Sequence, residues 1–169
     1  MMAHPITIRP MTRADLDWIE AQERLVFTDP WPKSAFKESL GFGGGLNVVA
    51  VNGDGQLCGY LCAQVVADEI QIHNIAVTPS MRRRGIARYL MDYAEEHGLE
   101  KGVACAVLEV RITNKSAITM YTDRGYQSIG RRRGYYRRPL CDALVLMKIL
   151  DDSDSGDRQM AETSDGMVS

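Results

Sequence analysis

The sequence lacks most of the features that mark metalloproteins, disulfide-stapled miniproteins and membrane proteins. Its four cysteines (Cys58, Cys62, Cys105, Cys141) form no C-x-x-C pair, and its three histidines (His4, His73, His97) are scattered. This predicts no metal site and no disulfide framework, and reads as the reduced thiols of a cytoplasmic protein. No apolar run approaches the roughly 18–20 residues of a membrane span, so no membrane partner is expected. The opening MMAHPITIRP has no basic segment ahead of a long apolar stretch and is not expected to act as a signal peptide. No internal repeat and no second domain is visible. A chain of 169 residues buries roughly 70% of its unfolded surface as one domain, and needs neither metal nor disulfide to fold.

A dominant charge is missing as well, since the formal net charge is only −2. Residues 151–169 nevertheless hold six acids and one base, which leaves +3 on residues 1–150. The acidic segment has too few apolar residues to offset its ordering entropy and is predicted to be disordered. Residues 1–150 are predicted to form the single folded domain. Arg131-Arg132-Arg133 and Arg137-Arg138 flank Tyr135-Tyr136, a mix that can hold phosphates and stack bases. At +3, however, the domain is too weakly basic for nucleic-acid binding to be its main task.

The residues that are present alternate between strand and helix patterns. Ile6 to Arg9 reads as a strand. Thr12 and Asp15 have capping-box spacing ahead of a helix that carries Leu16, Ile19, Glu23 and Phe27 on one side. Asp29-Pro30-Trp31-Pro32 ends that helix, and a short one is predicted from Ser34 to Leu40. Strands are expected over 46–51, 58–66 and 70–77, the first two joined by the hairpin signal Asn52-Gly53-Asp54-Gly55. A helix over 86–97, stopped by Gly98, leads to a buried strand over 103–110. A helix over 114–124, stopped by Gly125, leads to strands over 126–131 and 143–150. This order predicts an α/β (α+β) fold with a mixed, mostly antiparallel sheet of about seven strands and about four flanking helices.

Three segments carry chemistry. In NIAVTPSMRRRGIARYL (Asn74–Leu90), a strand ends at Val77 and Arg82-x-x-Gly85-x-Ala87 opens a helix. Free N–H groups at a helix N-terminus bind phosphates, and Gly85 and Ala87 let a ligand approach the backbone. Cations there cost about 0.3–1 kcal/mol each, so Arg82, Arg83 and Arg84 make sense beside an anion. Taken alone, the segment reads more readily as a solvated basic turn, and the strand before it and the two segments below reverse that preference. In Leu108-Glu109-Val110-Arg111 one carboxylate interrupts an apolar strand. Apolar neighbours would raise its pKa toward that of a general base, although an edge-strand Glu paired with Arg111 reads the same way. In the 114–121 helix, Asn114, Ile118 and Tyr121 share a face. A phenol there can protonate a departing sulfur and an amide can hold a ligand's amides, but a capping Asn and a core Tyr remain open.

Together, and in this order, these segments resemble the GNAT acetyltransferases and, within them, the RimI-type ribosomal-protein alanine N-acetyltransferases. The resemblance runs from about Ile6 to Leu150. Arg82 to Ala87 matches the family's R/Q-x-x-G-x-G/A signature. The narrower marks are Asp29-Pro30-Trp31, Asn74 to Val77, Leu108 to Arg111, Asn114, Ala117-Ile118, Tyr121, Gly125-Tyr126, and Tyr135-Tyr136 ahead of Asp142-Ala143.

The resemblance implies acetyl-CoA as donor, direct transfer without a covalent enzyme intermediate, and a protein N-terminus as acceptor. That acceptor would be the first alanine of a small-subunit ribosomal protein, with nucleic acid met only incidentally on the ribosome. It assigns the backbone of Ile75, Ala76 and Val77 to the pantetheine and thioester carbonyl. Arg82, Arg83, Arg84, Gly85, Ile86, Ala87 and Arg88 fall to the pyrophosphate, and Asn114 to a further cofactor contact. Glu109 becomes the general base, Tyr121 the general acid, and Trp31, Tyr135 and Tyr136 acceptor-side residues. Two departures stand out: Cys141 occupies a position where the family often has glutamate, and Arg137 to Cys141 is shorter and more basic than usual. A lysine, polyamine or other small amine is the alternative acceptor. At pH 7.4 roughly a quarter of an α-amino group is neutral, against about 0.1% of a lysine, so a modest base suffices for a protein N-terminus.

Overall fold

The computed structural model describes residues 5–151. His4 and most of the acidic segment lie outside the described residues. Seven strands form one sheet in the order β1-β2-β3-β4-β5-β7-β6. They are β1 (Thr7–Pro10), β2 (Gly45–Val51), β3 (Leu57–Val66), β4 (Glu69–Val77), β5 (Cys105–Arg111), β6 (Gln127–Arg137) and β7 (Leu140–Ile149). The helices are α1 (Leu16–Val26), α2 (Lys33–Leu40), α3 (Ile86–Glu100) and α4 (Lys115–Asp123). Every strand pair is antiparallel except β4 and β5, which α3 connects.

The helices cover the sheet unequally. On one face α3 and α4 bury Ile70, Ile72, Leu90, Ala106, Leu108, Val110, Tyr121 and Leu146 in the larger core. On the other face α1 and α2 cover only β2, β3 and β4, through Leu16, Ile19, Phe36, Val49, Tyr60 and Ala76. No described helix covers that second face of β5, β7 and β6, which explains why Glu109 and Arg111 stay half-buried inside an interior strand.

Several elements differ from the sequence reading. Gly98 does not stop α3; it lies buried within the helix, which runs on to Glu100. A Cβ there would sit 2.9 Å from Val103 Cγ2 and 3.1 Å from Ile70 Cγ2, so the glycine is required by close packing. The left-handed residue that follows the helix is Gly102 (φ 74°). The last two strands form a longer hairpin than expected, because Asp142 organises a segment that reads as loop. Its carboxylate accepts from Gly134 N–H (2.8 Å) and Arg131 Nε (2.7 Å).

Two buried carboxylates tie the elements together. Glu95 on α3 accepts from Arg124 (2.9 Å), Tyr126 Oη (3.0 Å) and Lys148 (3.2 Å), and Arg124 also reaches Asp92 (2.7 Å). This network anchors the end of α4, one turn beyond Tyr121. Glu23 on α1 accepts from Tyr60 Oη (2.6 Å), Asn74 Nδ2 (2.7 Å) and Trp31 N–H (2.9 Å), so it links α1, the Asp29-Pro30-Trp31 turn, β3 and β4. Glu23→Ala would leave three donors unpaired in the core. It is expected to cost about 3 kcal/mol or more in urea unfolding, well above a surface substitution.

At the start of the domain, Arg9 grips Asp15 with two hydrogen bonds (2.9 and 2.8 Å), and Thr12 N–H donates to the same carboxylate (2.8 Å). Chiefly through Arg9, the Asp15 carboxyl is held below the usual carboxylate range. A lowered folded pKa contributes stability that is present above about pH 4 and lost as pH falls through the folded value. Asp15→Asn is therefore expected to destabilise the protein at pH 7 and to matter little near pH 2, as read from unfolding midpoints at both pH values.

Candidate active site

The site begins where two strands part. β4 pairs with β5 only from Glu69↔Cys105 to Ile72↔Leu108. Beyond that step β4 stays with β3 as far as Val77, and β5 stays with β7 as far as Arg111. A wedge-shaped opening therefore lies between two interior strands. The register of β4 shifts here, because His73 has no partner between Ile72↔Ala63 and Asn74↔Cys62. Such a bulge re-aims side chains. Ile72 faces the larger core, His73 and Asn74 face the other side, and Ile75 returns to the larger core.

The bulge also decides which backbone groups border the opening. Thr78 N–H donates to Cys58 O (2.9 Å). By the two-residue alternation of an antiparallel ladder, Ala76 and Asn74 turn their backbone groups to β3, while Ile75 and Val77 turn theirs to the opening. Ala76, grouped with them in the sequence reading, instead packs its methyl into the smaller core. Unpaired N–H and C=O groups inside a sheet call for a partner, and an extended ligand with its own amides supplies one.

The N-terminus of α3 lies beside the end of β4. Gly59 permits this approach, since a Cβ there would sit 2.9 Å from Ala76 O and 3.3 Å from Ile86 Cγ2. Gly85, in the left-handed region at φ 77°, turns the chain into the helix, whose first turn has no side-chain cap and no acid. Arg83 is left-handed too (φ 63°), a conformation that costs a non-glycine residue about 1–2 kcal/mol. Arg82, Arg83, Arg84 and Arg88 are exposed around these uncapped N–H groups, whereas Ile86 is buried and offers only its backbone. Uncapped donors, nearby cations and open space over Gly85 fit a pyrophosphate.

Glu109 reaches the opening from the face that α1 and α2 leave bare. The expected apolar surroundings are absent: Arg132 Nε lies 3.1 Å from its carboxylate. The partner is Arg132 rather than Arg111. Arg111 instead stacks on the Tyr136 ring (4.2 Å) and donates to the carbonyls of Pro139 (3.1 Å) and Arg138 (3.2 Å). Thr28 Oγ1 donates to the same Arg138 carbonyl (2.8 Å), so the β6–β7 hairpin is joined to the turn after α1 across this face. Tyr135 is exposed at the rim, and burial of its hydroxyl together with Glu109 pushes the phenol up to about 12.

Tyr121 belongs to the larger core on the opposite face of the sheet, buried edge-on against Tyr126 (5.7 Å between ring centroids). Burial, then Tyr136, pushes its phenol up to about 12. Asn114 caps α4, its Oδ1 accepting from Ala117 N–H (3.3 Å), which is the capping role that the sequence left open. Trp31 packs against Phe36 (5.4 Å) and lines a cavity of about 310 Å³ with Ala35, Phe42, Gln64 and His73. Sequence reasoning missed the buried hub at Glu23, the pairing of Arg132 with Glu109 and the bulge at His73. Glu23 did carry a signal, a carboxylate at helical spacing with Leu16 and Ile19.

The acetyltransferase (GNAT) family profile matches residues 15–126. The chain is 35% identical over 159 residues to the N-alpha-acetyltransferase RimI of Mycobacterium tuberculosis, covering 90% of this chain and 95% of that protein. It is 32% identical over 145 residues to a putative [ribosomal protein bS18]-alanine N-acetyltransferase of Bacillus subtilis, covering 86% and 96%. The crystal structure of the ribosomal-protein-S18-alanine N-acetyltransferase from Escherichia coli superposes with a TM-score of 0.79 at 29% identity, covering 87% and 95%. The chain belongs to the acetyltransferase (GNAT) family, whose donor is acetyl-CoA, and within it is similar to the RimI-type N-acetyltransferases.

Proposed function

We propose that this enzyme transfers an acetyl group to the α-amino group of a protein beginning with alanine, a small-subunit ribosomal protein such as its relatives are named for. The observation that carries this reading is the strand opening beyond Ile72↔Leu108, with Glu109 on β5 at its first step. Bound acetyl-CoA supplies a thioester whose acetyl carbon accepts a nucleophile. The free backbone groups of Ile75 and Val77 align an extended chain in the opening, and a backbone N–H at this point stabilises charge on the carbonyl oxygen. A donor of that kind typically contributes about 3–4 kcal/mol. Arg82 to Arg88 hold the pyrophosphate through the α3 N-terminus.

Glu109 attracts and orients the cationic amino terminus. Tyr121, still protonated throughout the neutral range, donates to the leaving sulfur. The rim formed by Trp31, Tyr135 and Tyr136 receives the first residues of the acceptor. The residues assigned to this chemistry all fall within residues 1–150, and a cytoplasmic location suits an acceptor on the ribosome.

Glu109→Gln and Tyr121→Phe are each expected to lower turnover at least tenfold while acetyl-CoA affinity, by calorimetry, changes less than twofold. Unchanged turnover in both would remove these assignments. The acceptor class is tested with a peptide that begins with alanine and carries an internal lysine, incubated with acetyl-CoA and read by tandem mass spectrometry. Acetyl on the amino terminus alone is the expected result. Acetyl on lysine would shift the reading to a lysine or small-amine acetyltransferase.

A further inference from the structure

His73 is the unpaired residue of the β4 bulge, and it stands at the first step of the strand opening. Continuing the Ile72↔Leu108 register by one residue sets His73 opposite Glu109. Leu108 and Val110 face the larger core, so Glu109 faces the other side, the side to which the bulge turns His73. An imidazole and a carboxylate thus flank the same entrance. His73 is open to solvent and lines the cavity beside Trp31.

The two groups are differently engaged. Glu109 is paired with Arg132 and approached by the Tyr135 phenol. His73 makes no hydrogen bond among the described residues. The charged groups that face it are Glu109 on β5, with Arg132 of β6 held on that carboxylate, and Glu38 on α2 across the cavity, while Glu23 lies behind Asn74. Partial burial lowers the imidazole pKa, and Glu109 opposes that shift without reversing it. A lowered imidazole pKa means a neutral ring, with one nitrogen free to accept, at pH 7.

We propose that His73 receives the first proton of the acceptor, while Glu109 holds the ammonium in place. An N–H bond of the ammonium breaks, and its proton passes to the open imidazole nitrogen and then to solvent. The nitrogen keeps the electron pair with which it attacks the acetyl carbon. This deepens the functional reading above and rests on it, because it requires an amine acceptor.

The test is the pH dependence of kcat for the full chain with the alanine-initiated peptide, from pH 6 to 9.5. His73→Gln is expected to lose at least tenfold at pH 6.5, and to come within about twofold of wild type at pH 9, where an amino terminus of pKa about 7.7–8.0 is already neutral. Added imidazole is expected to restore His73→Ala at pH 6.5. A loss of equal size at every pH, without rescue, would make His73 merely structural and overturn the proposal. So would full activity of His73→Gln at pH 6.5. Either result leaves acetyl transfer standing, whereas absence of transfer by the wild type to any amine would overturn both readings.

Discussion

β4 and β5 are the only parallel neighbours in the sheet, and they stay paired for just four residues each. Both are interior strands held on their far sides by full antiparallel ladders, with β3 and β7. Neither can drift, so the gap between them is fixed by the rest of the sheet. Backbone groups that border such a gap have lost their ladder partners, and satisfying them is a requirement of the fold as much as of the chemistry. The strand parting, the bulge at His73 and the α3 N-terminus beside the end of β4 are parts of one arrangement.

Two buried charge networks hold that arrangement from either side. On the α3–α4 face, Glu95 balances Arg124 and Lys148 and sets the end of the helix that carries Tyr121. On the α1–α2 face, Glu23 gathers Tyr60, Asn74 and the Trp31 amide, and so ties the bulged strand to the turn that carries Trp31. A buried carboxylate that meets several donors is stable only in one geometry, which makes each network a specification of position as well as a source of stability. The uncovered face of β5, β7 and β6 follows from helix count: two helices on that side are spent on β2 to β4. Polar residues of β5 and β6 are thereby left where an incoming peptide can meet them.

Much of this was legible in the amino-acid order. The prolines at 30 and 32 end α1, Gly125 ends α4, and the arginine-glycine segment opens α3, because these are local backbone effects that need no distant partner. Other positions misled for an equally local reason. Gly98 reads as a stop signal, yet it is a packing residue, since Val103 and Ile70 crowd it from elsewhere in the chain. The strand of Glu109 is apolar in sequence, but every second residue faces a surface without helices, and a carboxylate expected among apolar groups is found beside Arg132.

The sequence by itself determined the class of fold, the arginine-glycine turn that opens α3, and the presence of a carboxylate inside β5 and a phenol on α4, because each depends on residue type and short spacing. Only the tertiary structure decided where the strands separate, that Ile75 and Val77 rather than Ala76 face the gap, that Asn114 Oδ1 caps α4, and that His73 stands across from Glu109. Those outcomes depend on strand register. A one-residue bulge inverts which side chains point to which face, and nothing in the local sequence encodes the partner strand against which that bulge is measured.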